Sequence, residues 1–191
     1  MKAYTIIAGV NGVGKSSLTG VLKSERKDLG CIIDVDKIAA EGRYSALDAG
    51  KTVIIKINDL LSRDISFTQE TTLSGRRTEK IIKAAKEKGY TTRLFYIGLN
   101  TFDESKKRIE NRVSKGGHDI PGDTVERRFK NRFDSLARIL PYCDEACFFD
   151  NENGFVEVGE YKNGELIAKG DYRPLWLQEL INFLVCVLIG L

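Results

Sequence analysis

Short apolar runs alternate with amphipathic segments along the first 150 positions, which is the pattern of a parallel α/β sheet. Strands are predicted at 4–8, 31–36, 65–70, 91–97 and 145–149. Helices are predicted between them, at about 16–22, 45–62, 76–88, 101–113 and 123–140. Thr101 with Glu104, and Asp123 with Glu126, have the spacing of capping boxes, so Thr101 and Asp123 are expected to cap the last two helices.

Three segments depart from this alternation. Glycine, proline and basic residues interrupt the helical pattern at 114–122, and a mobile lid is predicted at about 112–124. Asn163-Gly164 lies between two β-rich runs and predicts a peripheral hairpin. The apolar stretch 175–191 contains Gln178, Glu179 and Asn182, so a packed or partner-binding helix is expected and not a membrane anchor.

The pattern therefore predicts one domain in two parts. The core covers 1–152, and the hairpin and apolar helix at 153–191 are appended to it. A length of 191 residues is enough for one sizeable core.

The composition limits the classes of function. The chain has 30 Lys and Arg against 27 Asp and Glu, and this balance is too even to indicate nucleic-acid binding on charge alone. Four cysteines without a CxxC pair, and His118 as the single histidine, do not predict a structural zinc site. Reduced cysteines and no signal-peptide pattern predict a cytoplasmic protein.

The turn after the first strand contains the most specific motif of the chain. Positions 9–16 read Gly-Val-Asn-Gly-Val-Gly-Lys-Ser, which fits G-x-x-x-x-G-K-[ST] without a mismatch. Glycines let successive backbone N–H groups turn towards an anion, and the following helix adds the positive end of its dipole. We therefore expect ATP here, with Lys15 on the β- and γ-phosphates and Ser16 as a Mg²⁺ ligand. The residues expected to contact the nucleotide are Asn11, Gly12, Val13, Gly14, Lys15, Ser16 and Ser17.

This motif makes the predicted fold a P-loop NTPase, an α/β domain with a five-stranded parallel sheet flanked by helices. The strand order expected is 2-3-1-4-5, as in small kinases.

Acidic residues end two of the predicted strands. Asp34 and Asp36 end the second strand, and Glu70 ends the third. Ligands bind beyond the carboxyl ends of parallel strands, so both aspartates are expected to point towards the phosphate site. Glu70 and Thr72 are candidates for binding substrate or water-bound magnesium. The alternatives are a solvated turn for the aspartates and a turn or cap role for Thr72.

A locally positive segment spans 106–132, with nine Lys or Arg and four Asp or Glu. Arginines stabilise the charge of transferring phosphates, and Arg112 and Arg128 are expected to face the cleft. Helical spacing points Arg127 away from the face of Arg128. A solvated helix face is expected for Lys106, Lys107 and Arg108.

Four motifs together resemble one family. They are the P-loop, Asp34-Val-Asp36, the run Phe67-Thr-Gln-Glu70-Thr-Thr72-Leu-Ser-Gly75, and the lid run from Arg112 to Pro121 with Arg127-Arg128-Phe129. Over about residues 3–150 the chain resembles the zeta toxin family of P-loop kinases. The last two motifs look especially like a bacterial branch of predicted ATPases.

Zeta toxins of known activity phosphorylate a hydroxyl of UDP-N-acetylglucosamine and are held inactive by an antitoxin. The resemblance implies that Asp36 is the general base, that Glu70 and Thr72 bind the substrate, and that Arg112 and Arg128 contact ATP. The Asp34–Asp36 pair also resembles the D-x-D of shikimate- and gluconate-type kinases, in which one carboxylate serves magnesium; Asp34 is assigned to the metal. Ser74 stands where those toxins have an arginine, so the acceptor stays open.

Two functions follow as hypotheses. The first is a kinase that uses ATP and Mg²⁺ to phosphorylate a hydroxyl of a small molecule, such as a nucleotide sugar, and that acts as a toxin with an antitoxin partner. The second is an ATP-binding or hydrolysing switch that acts through a partner protein, for which the apolar C-terminal helix is the main support. Neither nucleic acid nor a membrane is expected as a partner.

Overall fold

The computed structural model describes residues 1–34, 38, 46–117 and 119–189. Within these residues one seven-stranded sheet has the order β2-β3-β1-β4-β5-β6-β7. The strands are β1 (Ala3–Ala8), β2 (Cys31–Asp34), β3 (Phe67–Thr71), β4 (Thr91–Ile97), β5 (Glu145–Asp150), β6 (Val156–Lys162) and β7 (Glu165–Ala168). Strands β1 to β5 are parallel, so the predicted order 2-3-1-4-5 is confirmed.

Helices cover both faces of the sheet. They are α1 (Lys15–Glu25), α2 (Ala46–Ser62), α3 (Arg77–Glu87), α4 (Phe102–Ser114), α5 (Gly122–Lys130), α6 (Arg132–Ala137) and α7 (Leu175–Ile189), with a 3₁₀ turn at Leu140–Tyr142. Alternation along β1 sends Tyr4 and Ile6 into one apolar cluster and Ile7 into the other. All six residues of β1 are buried, as expected for the central strand of a parallel sheet.

The hairpin is part of the main sheet. β6 pairs antiparallel with β5, and β7 pairs with β6, so the sheet has seven strands and not the five of the predicted parallel core. Asn163 and Gly164 have φ values of 55° and 87°, which confirms the turn predicted from this dipeptide. The described part of 153–191 thus adds both an edge of the sheet and a helix that packs on it.

The single helix predicted over 123–140 is wrong. α5 ends at Lys130 and α6 begins at Arg132, with Asn131 between them. The two halves of the apolar stripe pack in different clusters, Phe129 against the one that contains Ile7 and Phe133 against the one that contains Tyr4. The break at Asn131 thus lies between the two contacts.

The predicted cap at Asp123 is also wrong. Pro121 is the N-cap of α5, and Asp123 lies within the first turn. The fixed φ of proline suits the entry to a helix. The cap at Thr101 is confirmed, because its Oγ accepts a hydrogen bond from the backbone N–H of Glu104 at 3.2 Å.

Helix α7 is anchored to the sheet by Trp176. The side chains of Trp176, Leu177 and Leu180 are fully buried. The indole lies so close to Gly98 that a Cβ added there would be 2.1 Å from the ring, and its Nε1 donates to Asp150 Oδ1 at 2.8 Å. The predicted packed helix is therefore present, and within the described residues no helix is long and apolar enough to cross a membrane.

We expect Trp176→Ala to lower the free energy of unfolding by ~3–5 kcal/mol, because it leaves a cavity under α7 and removes a buried donor from Asp150. Urea denaturation measures the change. Leu175→Ala is the matched control, since Leu175 is the preceding residue and is 70% exposed. Equal stability of the two variants would show that α7 is not anchored through its indole.

Candidate active site

The P-loop joins β1 to α1 and forms a cradle for phosphate. Gly14, the N-cap of α1, has φ 96°, a left-handed conformation that favours glycine. The Lys15 ammonium donates to the carbonyls of Gly9 and Val10, both at 3.1 Å. Asn151, after β5, supports the loop from behind by donating to Val13 O at 2.9 Å. The first turn of α1 has no acidic residue, so its amide groups and Lys15 present positive charge.

The carboxylate of Glu70 lies directly beside this loop. Ser16 Oγ donates to Glu70 Oε2 and Thr19 Oγ donates to Oε1, both at 2.7 Å. Asp34 is the register partner of Glu70 on the neighbouring strand, and it lines the same cleft. The sequence left Glu70 open between substrate and water-bound magnesium, and the family resemblance favoured the substrate; the structure brings Glu70 to Ser16, the serine that was assigned to Mg²⁺.

These oxygen atoms fit a magnesium ion. Serine hydroxyl and carboxylate oxygens are the hard ligands that Mg²⁺ prefers, and it binds through one or two carboxylates with water and substrate phosphates. The described residues contain no group of three or more His, Cys, Asp or Glu that could hold a metal. The donor set Ser16, Asp34 and Glu70 therefore suits an ion that phosphates help to hold.

Burial shapes the chemistry of Glu70. The residue is 7% exposed. Burial raises the pKa of its carboxyl above the ordinary value, while the hydrogen bonds from Thr19 and Ser16 oppose the rise. Between the pKa of Glu70 in the unfolded chain and its higher pKa in the folded protein, the folded state binds more protons than the unfolded state. The free energy of unfolding therefore falls as the pH rises through this range.

We expect Glu70→Gln to remove this pH dependence and to weaken binding of Mg²⁺ with ATP by ~10- to 100-fold, the usual effect of losing a group that supports a metal ligand. Without metal, the melting temperature of wild type should fall relative to that of the variant as pH rises from the ordinary carboxylate range to the raised pKa. Thermal melts and calorimetric titration measure these effects.

Glu25→Gln is the matched control for this substitution. Glu25 lies on α1 and is exposed, so the change alters charge without touching the P-loop. If Glu70→Gln bound the metal–nucleotide complex as tightly as Glu25→Gln, Glu70 would not belong to the metal side of the site.

A cleft of about 610 Å³ extends from the P-loop across the carboxyl ends of β2 and β3. Among the described residues, its cations outnumber its carboxylates, which belong to Asp34 and Glu70. The cationic lining residues are Lys15, Arg76, Arg77, Arg108, Arg112 and Arg128. Such an excess of arginine suits a ligand with several negative charges.

Arg128 reaches the P-loop itself. Its Nη1 donates to Asn11 Oδ1 at 3.0 Å, and Asn11 is 2% exposed. Arg127 is exposed and does not line this cleft. The structure thus brings Arg112 and Arg128 to the same cleft as Lys15, on the side of the predicted lid.

Sequence reasoning missed Arg108, which was expected to be solvated. Its Nη2 donates to Asn151 O at 2.7 Å and pairs with Glu104, and the residue lines the cleft. Lys106 and Lys107 are exposed, as expected. Arg108 precedes Arg112 by four positions and therefore shares its helix face, a spacing from which its position can be found.

The remaining predicted residues fall into three groups: residues that line the cleft, one that is buried, and those outside the described residues. Thr72 and Ser74 line the cleft, with their hydroxyl oxygens 3.0 Å apart. Ser17 also lines it, whereas Val13 is fully buried. Asp36 and His118 lie outside the described residues, so the assignment of the general base and the motion of the lid stay predictions.

The amino-acid sequence was compared with family models and with known proteins. No protein-family model matches the chain. A Haemophilus influenzae protein described as "Uncharacterized protein" is 37% identical over 127 residues, which cover 63% of this chain and 88% of that protein. The chain belongs to the same family as this Haemophilus protein.

Solved structures show the fold of this family. A chain from the PezAT chromosomal toxin–antitoxin system of Streptococcus pneumoniae has a TM-score of 0.64 at 16% identity, covering 100% of this chain and 87% of that one. A chain of the AvrRxo1-ORF1:ORF2 complex crystallised with ATP has a TM-score of 0.66 at 18% identity, covering 96% of this chain and 63% of that one. The predicted P-loop fold is confirmed, and the resemblance to zeta toxins is confirmed at the level of the fold.

Proposed function

We propose that the protein is an ATP-dependent kinase that transfers the γ-phosphoryl group to a hydroxyl of a small molecule. The observation that supports this best is the cleft itself. It has a volume of about 610 Å³ and extends past the P-loop, and its lining includes Lys15, Ser16, Glu70, Arg112 and Arg128. The same cleft continues beyond the P-loop to positions 72 and 74–78 after β3, which supports a place for a second substrate beside the γ-phosphate.

The chemistry of the proposed reaction assigns a task to each group. The acceptor oxygen forms a bond to the γ-phosphorus, the bond from that phosphorus to the bridging oxygen of ADP breaks, and the acceptor proton passes to a carboxylate. We propose Asp36 as that base, on the basis of the sequence motif. Lys15, Arg112 and Arg128 offset the negative charge of the phosphoryl group, and Thr72 orients the acceptor.

Magnesium has a defined place in this proposal. When bound, it supplies positive charge to the β- and γ-phosphate oxygens. Ser16 and Asp34 are proposed to hold it directly or through water, and Glu70 to orient Ser16. Glu70 therefore moves from the acceptor side, where the resemblance puts it, to the metal side.

We extend the proposal to the biological setting. A chain of a toxin–antitoxin system shares the fold, which supports a toxin kept inactive by an antitoxin protein. The described cysteines are free thiols, which supports a reducing compartment such as the cytoplasm. A nucleotide sugar such as UDP-N-acetylglucosamine is one candidate acceptor among alcohols.

A panel of acceptors tests the proposal. Purified protein is incubated with ATP, Mg²⁺ and sets of nucleotide sugars, sugars, sugar phosphates and hydroxy acids, and products are analysed by mass spectrometry. We expect a phosphate mass increment on one class of acceptor and none with Lys15→Ala. ATP hydrolysis without a phosphorylated product across the panel would contradict the kinase and favour the switch.

A further inference from the structure

A second cavity of about 480 Å³ opens beside the main cleft. Four residues line both spaces, namely Thr72, Ser74, Gly75 and Arg128. The second cavity adds Arg127, Asn131, Asp134, Ser135 and Arg138 from the segment that contains α5 and α6. Because the two spaces share a boundary, one ligand is able to extend from the phosphate-transfer site into the second cavity.

The charge of this cavity favours an anion. Arg127, Arg128 and Arg138 line it, and within the described part of the chain Asp134 is the acidic residue of its lining. The carboxylate of Glu79 interacts electrostatically with Arg138, but it forms its ion pair with Lys83, at 2.7 Å. Among the residues that the structure describes, arginines therefore outnumber carboxylates in the lining of this cavity.

Arg138 is held in position before any ligand arrives. Its Nη2 donates to Ser135 Oγ at 3.1 Å and to the carbonyl of Gly75 at 3.5 Å. Ser135 is 7% exposed, so one of these partners is itself fixed in the protein interior. A guanidinium group has five N–H donors, and both of these bonds use the same terminal nitrogen. Such an arginine suits two-point contact with a phosphate group.

The loop between the two cavities has a strained conformation. Leu73 has φ 57°, which is unusual for a bulky residue, and its side chain is 3% exposed. The buried side chain fixes the loop so that Thr72 and Ser74, on either side, both line the boundary. Backbone strain of this kind persists only where the surroundings enforce it, and it concentrates at functional sites.

We propose that the second cavity binds a phosphate group and that Arg138 is its specificity-determining residue. This rests on the proposed kinase function, under which the phosphate belongs to the acceptor: a hydroxy compound that already has a phosphate group some distance from the hydroxyl. Ser74, at the boundary between the two cavities, has no positive charge to offer a phosphate. Arg138, which contacts the carbonyl of Gly75, supplies that charge from the segment after α6.

Binding of inorganic phosphate tests the site without relying on catalysis. The protein is first saturated with Mg²⁺ and a non-hydrolysable ATP analogue, so that the P-loop is occupied, and inorganic phosphate is then titrated by calorimetry. We expect binding to wild type and a loss of at least ~10-fold in affinity in Arg138→Ala, the usual range for a hydrogen-bonded charge. If Arg138→Ala proves unstable, Arg138→Lys takes its place in the test. Lysine keeps the charge without the planar guanidinium group, so this variant should retain only part of the affinity for phosphate.

Arg63→Ala is the matched control. Arg63 is an exposed arginine after α2, paired with Asp59 at 3.3 Å, so its removal changes net charge equally and should leave phosphate binding unchanged. No binding of phosphate to the analogue-saturated wild type, or equal binding to Arg138→Ala and Arg63→Ala, would overturn the site.

Kinetics separate this inference from the kinase proposal. With a phosphorylated acceptor, Arg138→Ala should raise the acceptor KM at least ~10-fold and leave the KM for ATP unchanged. An uncharged acceptor that wild type and Arg138→Ala phosphorylate equally would overturn the inference and leave the kinase intact. Phosphate binding that depends on Arg138, with no product in the acceptor panel, would support the site and contradict the kinase.

Discussion

Replacing Arg128 with alanine is expected to slow phosphoryl transfer by ~10³-fold while ATP still binds. The guanidinium lines the cleft and donates to Asn11 at 3.0 Å, so it is held against the loop that cradles the phosphates. Negative charge spreads over the γ-phosphoryl oxygens in the transition state, and a fixed arginine stabilises it more than it stabilises bound ATP. Single-turnover phosphorylation beside calorimetric titration of ATP separates the two effects.

Lys130→Ala is the control for this variant. Lys130 lies at the end of the same helix and pairs with Glu126 at 2.6 Å on the exposed side. Lys130→Ala removes one positive charge, as Arg128→Ala does, but its transfer rate should stay within a few-fold of the wild-type rate, since exposed ion pairs contribute little. Equal losses in Arg128→Ala and Lys130→Ala would mean that net charge, and not the position of Arg128, affects the rate.

The second large effect is expected for Asp36→Asn, which should lower the transfer rate by ~10² to 10⁴ with little change in ATP affinity. Asparagine keeps the shape and one acceptor oxygen, but it removes the charge and the basicity that accept the hydroxyl proton. Rapid-quench measurement of the first turnover, with the acceptor that the panel identifies, gives this rate directly.

Asp34→Asn provides the contrast. Asp34 ends β2 in register with Glu70, so this substitution should raise the Mg²⁺ concentration required for half-maximal rate. Asp36→Asn should leave that concentration unchanged. Transfer at the wild-type rate by Asp36→Asn would exclude Asp36 as the base, and Asp34 would then be the next candidate.

The features that the sequence predicts well are those set by short, local patterns. The P-loop spacing, the Asn163-Gly164 turn and the Thr101 cap each depend on a few neighbouring residues with specific backbone chemistry. The parallel order of β1 to β5 follows from the P-loop once the strands are located. Periodicity and turn chemistry therefore locate the strands and most of the helices, whereas the strand order comes from the likeness of the P-loop to small kinases.

The features that the sequence does not predict depend on contacts between distant segments. Glu70 reaches Ser16 because β3 lies next to β1, across 54 positions of chain. The break at Asn131 lies between two rings of one stripe that pack against different apolar clusters. Arg138 lines a cavity together with Gly75, which is 63 positions away along the chain.

The anchoring of α7 by Trp176 gives the protein an intrinsic optical probe. The chain has one tryptophan, so its fluorescence comes from a single buried indole. That indole bonds to Asp150, the residue immediately before Asn151, whose side chain holds the P-loop at Val13. Emission from this ring therefore reports on the part of the sheet that supports the nucleotide loop, and no fluorescent label is required to follow it in solution.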